Sequence, residues 1–417
     1  MKIAVIGAGI IGVTTAYELA KDGHEVTVFE RRSAAAEETS FANAGIVAPG
    51  YVTPWASPGM PSKAFRNLLS RHAAVRLTLP LSTRELSWIW RWTRSCRLET
   101  YLANRSNLQK LAFYSRQRLH SLTSDLQLDY ERSDGYMVLL RSDKDQQGMQ
   151  AGLQVLREAE VQFKEINPAQ ARKIEPALNP DTAFVGAIHL PEDEVGNCRQ
   201  FALLIKNEAQ SIGVKFEFNT TVADIKTSEG LEIRILNETS PRQFDAAVIC
   251  AGLESAKLLS ALRLHIPLVA VHGYSVSANI REPLDAPRSA VMDERYKVAI
   301  SRLGNRVRVA GSAEIGGDLG SKSAGALATL YKVLQDWFPG AAHLSNGVQE
   351  WKGARPMLPD GPPVVGPSGM PGLWLNLGHG SSGWALSCGS ARLLADQLIG
   401  KLPDIDHAGF SVERLRT

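Results

Sequence analysis

Gly7-Ala8-Gly9-Ile10-Ile11-Gly12 lies between a short apolar run, Lys2 to Ile6, and a helical pattern that continues to Ala20. This spacing suits the holding of a pyrophosphate. Gly7 permits a tight turn, Gly9 lets the backbone approach the phosphates, and Gly12 lets helix and strand pack closely. The helix start at Ile10 and Ile11 adds free N–H groups and a positive dipole end. Asp22-Gly23-His24 ends the helix, and Glu25 to Phe29 reads as a second strand. Glu30 then stands where an acid accepts a ribose hydroxyl hydrogen bond. A lone glycine motif is weak, and a glycine-rich turn that binds nothing is the competing reading. Strand, helix, strand and terminal acid together predict a dinucleotide site.

Three later stretches could serve the same ligand. Between Arg31 and Trp55 both strand and helix periodicity fail, and Thr39, Ser40, Asn43, Ala44 and Gly45 are small or polar. A loop of this length in a compact fold is usually functional or mobile. Phe244 to Gly252 is a buried-strand pattern that runs into Ala251-Gly252, where a larger side chain would collide with a ligand. Leu373 to Leu377 leads into Gly378-His379-Gly380-Ser381-Ser382-Gly383-Trp384 and a long helix. That helix start can aim N–H groups at developing negative charge.

The elements that must position these stretches read as α/β. Strand patterns at Asp134–Leu140, Ala183–Pro191, Val214–Asn219, Val222–Lys226, Leu231–Leu236, Ile266–Ala278, Tyr296–Arg302 and Arg306–Ser312 alternate with helical ones. The last two join at Gly304-Asn305, a hairpin signal. Residues 61–125 read as mainly helical, and Gln146–Glu160 as a further helix. Within 84–92, Trp88, Ile89 and Trp92 share a face flanked by Arg84, Arg91 and Arg94, with Leu86 and Trp90 beyond. This arc reads first as core with snorkelling arginines; the alternative is a peripheral contact with a membrane surface. Glu192-Asp193-Glu194 reads as a solvated turn rather than a metal site, because no histidine or cysteine stands at ligand spacing.

With 417 residues the chain has room for two domains. A net charge of +3 argues neither for nor against nucleic acid. The four cysteines, Cys96, Cys198, Cys250 and Cys388, form no CxxC, so no zinc or dithiol motif is expected and a reduced, cytoplasmic setting is. The first strand starts at Lys2, so no leader is expected, and no apolar run is long enough to span a bilayer.

Glu30-Arg31, Thr39-Ser40 and Asn43-Ala44-Gly45 resemble the extended FAD fingerprint of the D-amino-acid oxidase and glycine oxidase superfamily. Pro49-Gly50-Tyr51 and Pro54-Trp55 narrow the resemblance to the bacterial D-amino-acid dehydrogenases within it. The resemblance covers nearly the whole chain. It implies a Rossmann-like FAD domain built from 1–50, 190–265 and 350–417, and an antiparallel-sheet substrate domain with helices from 51–189 and 266–349. It brings Val222 to the adenine, Ala251-Gly252 past the cofactor, and the Gly378–Trp384 turn to the flavin N1 and C2 carbonyl. His379 would shape that turn rather than transfer a proton.

The implied reaction is oxidation of an amino acid at its Cα–N bond, with hydride passing to flavin N5. Hydrolysis of the imino acid then gives keto acid and ammonia. A carboxylate anchor is needed, and a guanidinium can bind both oxygens. Arg355 in the segment Gly353-Ala354-Arg355-Pro356 occupies the place of that anchor in glycine oxidase, and Tyr51, Tyr274 and Tyr296 are candidate hydroxyls for substrate. No cysteine lies in Gly353–Gly361, where sarcosine oxidases attach flavin, so FAD is expected to be noncovalent. Ser381-Ser382 stands where close relatives more often have Thr-Leu, which leaves D-alanine, other small D-amino acids, D-hydroxyproline and N-methyl amines all open as substrates. A quinone or other carrier is the expected electron acceptor, with oxygen the alternative. A tRNA-modifying flavin module would need a dense basic surface or an RNA-binding domain, and neither is evident. A flavin-carrying subunit without chemistry of its own is the remaining rival.

Overall fold

The computed structural model describes residues 1–67, 72–158, 160–228 and 230–415. Residues 68–71 of the expected helical region and 159 of the next helix lie outside them. The first sheet has the order Val364–Pro367, Leu373–Leu377, Ala246–Ile249, Lys2–Ile6, Glu25–Phe29, Lys215–Glu217. All its neighbours run parallel except the first two strands. A parallel sheet is buried on both faces, which explains the unbroken apolar strands. Alternate residues divide between two cores. Ile3, Val5, Val28 and Val248 pack with the helices Ile10–Lys21 and Gly383–Leu398. Ala4, Ile6, Ala247, Ile249 and Leu375 face the second core.

A buried ion network holds the helical layer. Glu18, fully buried, accepts from Arg118 at 2.6 and 2.8 Å and from Arg392 at 3.0 Å. Arg392 also pairs with Asp22 and Asp396. Removing one member would leave buried charge unpaired, which is where such networks become costly.

The second sheet has ten strands. Its centre runs Gln349–Met357, Val269–Asn279, Arg306–Gly316, Val298–Leu303, Ala290–Asp293, Ser133–Leu140, Gly186–Val195. It is mixed rather than purely antiparallel as expected. Ala290–Asp293 pairs parallel with Ser133–Leu140, and Val75–Thr78 pairs parallel with Arg306–Gly316. Both exceptions join segments far apart in sequence, where no hairpin dictates direction. Val75–Thr78 is a strand inside the region read as helical. One face of this sheet carries Tyr274, Val276, Val298, Ile300, Val307 and Val309, packed beneath the helix Ala324–Trp337.

Two further expectations change. Glu192-Asp193-Glu194 is not a solvated turn. It belongs to the strand Gly186–Val195, with Asp193 and Glu194 buried. Arg116, Arg132 and His120 supply the cations and donors that permit this. Burial pushes the Asp193 carboxyl up to about 7 despite Arg116. The tryptophan segment forms the helix Thr83–Ser95, started by a capping box between Ser82 and Glu85. Its inner side is core, as first read. Trp88 is buried, stacks on Trp92 and donates from Nε1 to the Met357 carbonyl at 3.0 Å. Its outer side, with Leu86 and Trp90, is exposed.

Candidate active site

The glycine turn is built as its spacing predicts. Gly7 has φ +103°, and a Cβ there would come within 2.7 Å of the Cys250 carbonyl oxygen. A Cβ at Gly12 would lie 1.8 Å from the Gly7 oxygen, so helix and strand touch there. Gly9 differs. A Cβ on it would meet only Ser40 Oγ, at an ordinary 3.5 Å. No packing within the protein demands a glycine at that position, so the space before it is free for a ligand. The helix that begins at Ile10 has no side-chain cap from Gly9; Ser40 Oγ accepts the Ile10 N–H at 3.0 Å. Glu30 accepts from Ala8 N at 2.7 Å and Arg32 N at 2.8 Å, which fixes its carboxylate beside the turn. Arg31 is drawn to Glu38 and Glu254.

The other stretches converge on this turn. Cys250 and Ala251 sit against Gly7, and a Cβ on Gly252 would meet nothing within 4 Å. Val222 begins the small three-stranded sheet beyond the Glu30 side. Thr39 donates to the Ala354 carbonyl at 2.7 Å, tying the 39–45 loop to the strand that carries Arg355. Asn43 caps Gly45 N at 2.9 Å, Ser301 donates to the Ala44 carbonyl, and Trp384 Nε1 donates to the Gly45 carbonyl. The Gly378–Gly383 turn bridges to Met357, and a Cβ at Gly380 would lie 2.6 Å from the Met357 sulfur. The helix Gly383–Leu398 starts without a side-chain cap and with no acid in its first turn. Ser381 is exposed and Ser382 partly so. His379 is buried against Ser390 Oγ at 3.0 Å, and burial pushes it down to about 3. It is therefore neutral at physiological pH.

Arg355 lies on the face of the large sheet opposite the one packed by the Ala324–Trp337 helix. Strand residues alternate between faces. The unbroken pairing Val271↔Arg355, Gly273↔Gly353, Ser275↔Trp351 puts these six on one side. Ala310 and Ala299 continue that side across the next strands. The Arg355 guanidinium lies over Gly273, where a Cβ would be 2.3 Å from Nη2, and the Trp351 indole lies over Gly353. Arg355 Nη1 donates to the Ser312 carbonyl at 3.0 Å and reaches the His272 carbonyl at 3.5 Å. No carboxylate among the described residues pairs with it, and burial alone pushes it down to about 10. It is a charged group held by neutral carbonyls. Ser275 Oγ and Ser312 Oγ are buried nearby on these strands without hydrogen-bond partners. Such groups are costly unless something satisfies them.

The three tyrosines are not brought to Arg355. Tyr274 is three residues from Val271 on an unbroken strand and so points to the opposite face. It is buried there, donating to Glu314 and accepting from Ser323 N. Tyr51 donates to Glu294 at 2.6 Å and accepts from Lys297 at 3.0 Å. Tyr296 packs against Arg141, Lys332 and His72. A hydroxyl was sought by residue type, whereas the pleat decides which face it serves. Trp351, Ser275 and Ser312 line the site and were missed. Their signal was a run of small residues at alternate strand positions, Ala299, Ser301, Ala310 and Ser275.

A parallel nucleotide-binding sheet joined to a large sheet with one bare, cationic face defines a two-sheet flavoprotein. A family model described as FAD dependent oxidoreductase, DAO, matches residues 2–397, and the chain belongs to that family. FAD is its cofactor. The open space at Gly9 and Gly252, the uncapped start of the Gly383–Leu398 helix and the small residues of the Arg355 sheet face fit such a group. A D-amino acid dehydrogenase from Bradyrhizobium diazoefficiens is 42% identical over 416 residues, 99% of each chain. One from Rhodopseudomonas palustris is 40% identical over 419 residues, covering 100% of this chain and 98% of that one. Among solved structures, glycine oxidase from Geobacillus kaustophilus superposes with a TM-score of 0.74 at 23% identity, covering 98% of this chain and 97% of that one. Iminodiacetate oxidase from Chelativorans sp. BNC1 gives 0.72 at 20% identity, covering 98% of each. These likenesses support the fold alone.

Proposed function

We propose that this chain oxidises D-amino acids at the Cα–N bond and passes the electrons to a quinone or other carrier. The observation that carries the reading is Arg355, a cation without a counter-charge on a bare sheet face. An incoming α-carboxylate supplies the missing charge, and bidentate guanidinium–carboxylate pairing fixes its orientation. Ser275 and Ser312 offer buried hydroxyls on the next two strands beyond that of Arg355. The D-configuration rests on the full-length similarity to the two dehydrogenases.

FAD, when bound, supplies the hydride acceptor; the protein binds and orients substrate. Gly7 to Gly12, Glu30, Arg31, Thr39, Ser40, Asn43 to Gly45, Val222, Ala251-Gly252, Gly353 and Gly378 to Trp384 form its cradle in this reading. The cofactor is held noncovalently, since no cysteine lies between Gly353 and Gly361. Substrate enters as the free amine, so no general base is required, in keeping with a neutral, buried His379. The FAD domain comprises 1–50, 190–265 and 350–417, and the substrate domain the rest. The chain works on the cytoplasmic side with a peripheral membrane contact. Among the described residues no helix is long and apolar enough to cross a membrane.

An anaerobic screen of flavin bleaching against D-amino acids, L-amino acids and N-methyl amines tests this. Fast bleaching by small D-amino acids is expected. Preference for L-amino acids or sarcosine would replace the reading. Stoichiometric peroxide in air would make oxygen the acceptor.

A further inference from the structure

Among the described residues, the outer side of the Thr83–Ser95 helix is left exposed. Leu86 and Trp90, one turn apart, are 54% and 57% exposed. Leu79 just before the helix is 77% exposed, and Leu98 and Leu102 at the start of the next helix are 61% and 47% exposed. Single exposed leucines occur elsewhere, Leu284 and Leu402 among them, and need no explanation. Five large apolar side chains within two dozen residues do. Their setting is cationic. Residues 83–102 hold four arginines and two glutamates. Arg84, Arg94 and Arg97 are exposed, and Arg94 lies over the Trp90 indole at 4.7 Å. Glu85 is engaged by the Ser82 cap.

We infer that this face seats on an anionic lipid bilayer. An amphipathic helix with a tryptophan and leucines outward, rimmed by arginine, inserts shallowly at the headgroup boundary. Tryptophan is favoured there because one end of the ring is apolar and the other polar. Arginine rather than acid at the rim selects a negative surface. The inner side of the same helix touches the site. Trp88 donates to the Met357 carbonyl, two residues beyond Arg355. The bilayer therefore lies one helix away from the strand that carries the substrate anchor, which suits an acceptor dissolved in lipid. The inference rests on the proposed electron transfer to a carrier and names the surface through which it occurs.

Cosedimentation of the FAD-loaded full chain tests it, using vesicles of phosphatidylcholine alone and of phosphatidylcholine with phosphatidylglycerol. Binding to the anionic vesicles is expected, weakening with salt. The double substitution Leu86→Ser and Trp90→Ser removes two exposed apolar side chains and should weaken partitioning by roughly a hundredfold. Arg84→Gln with Arg94→Gln should remove the preference for phosphatidylglycerol. Reduction of a soluble dye with a D-amino acid should be unchanged in both variants. Equal partitioning of wild type and the serine variant, or no binding to either vesicle, overturns the inference. So does a dimer in solution that the serine variant dissolves, since the face would then cover a second copy. Flavin bleaching without vesicles reports the proposed reaction separately, so either can fail alone.

Discussion

The two faces of the large sheet are made from the same strands and do opposite things. One carries Val276, Ile300, Val307 and Val309, closes on the Ala324–Trp337 helix and is filled. The other carries Gly273, Gly353, Ser275, Ala299 and Ala310, and its two arginines, Arg355 and Arg308, are held by neutral oxygens rather than by a carboxylate. Both faces satisfy their backbone through the same ladders. The difference lies only in which side chains the pleat sends each way. Large apolar side chains are placed on one side, and small residues keep bulk off the other. Trp88, Val271 and Met357 close one end of the bare face, and Tyr136, Val138 and Leu303 the other.

Filling the bare face is the sharpest way to break this contrast. Ala299→Leu with Ala310→Leu should abolish flavin bleaching by D-amino acids, while the melting temperature shifts by only a few degrees. Ile300→Ala, one residue away but on the filled face, should do the reverse. It should cost about 2–5 kcal/mol of stability in denaturant melts and leave kcat/KM of the folded enzyme within about twofold, since the residue touches no site group. Loss of turnover in Ile300→Ala at full folding would contradict the division of duties.

The charge on the bare face gives a smaller, graded effect. Burial holds the Arg355 guanidinium below its ordinary value, and it stays cationic at neutral pH. Binding of a carboxylate without an amine, such as propionate, followed by flavin absorbance, should hold in wild type and weaken by roughly tenfold or more in Arg355→Gln. Unchanged propionate affinity in that variant would remove Arg355 from the anchor role.

The smallest effect concerns Asp193 on the neighbouring strand. Its carboxyl titrates near 7 when folded and about 3.9 when unfolded. Between those values the folded state holds a proton that the unfolded chain has released, so stability falls as pH rises through the window. Asp193→Asn removes the titration, and its melting temperature relative to wild type should rise between pH 5 and pH 8. A difference independent of pH would contradict the assignment.

The first sheet was legible because each of its signals is local. A glycine triplet, an apolar run and a terminal acid are read within thirty residues, and Gly7 and Gly12 do structurally what their spacing predicts. Arg355 was found only through resemblance, because nothing in its own neighbourhood distinguishes an anchor from an ion pair. The tyrosines were misplaced because a hydroxyl says nothing of its face, and face depends on register set by strands far apart in sequence. Asp193 and Glu194 looked solvated for a similar reason: Arg116, Arg132 and His120 come from elsewhere in the chain. The tryptophan segment follows its core reading at Trp88, while Trp90 on the other side is exposed.

Anaerobic stopped-flow reduction of wild type and Arg355→Met by one small D-amino acid tests the substrate anchor most directly. The FAD content of the two proteins should match, and the apparent Kd for substrate should rise by about a hundredfold in the variant, the effect of losing a charge-assisted, doubly bonded carboxylate partner of some 3 kcal/mol. An unchanged Kd with full FAD occupancy would show that the substrate acid is held elsewhere.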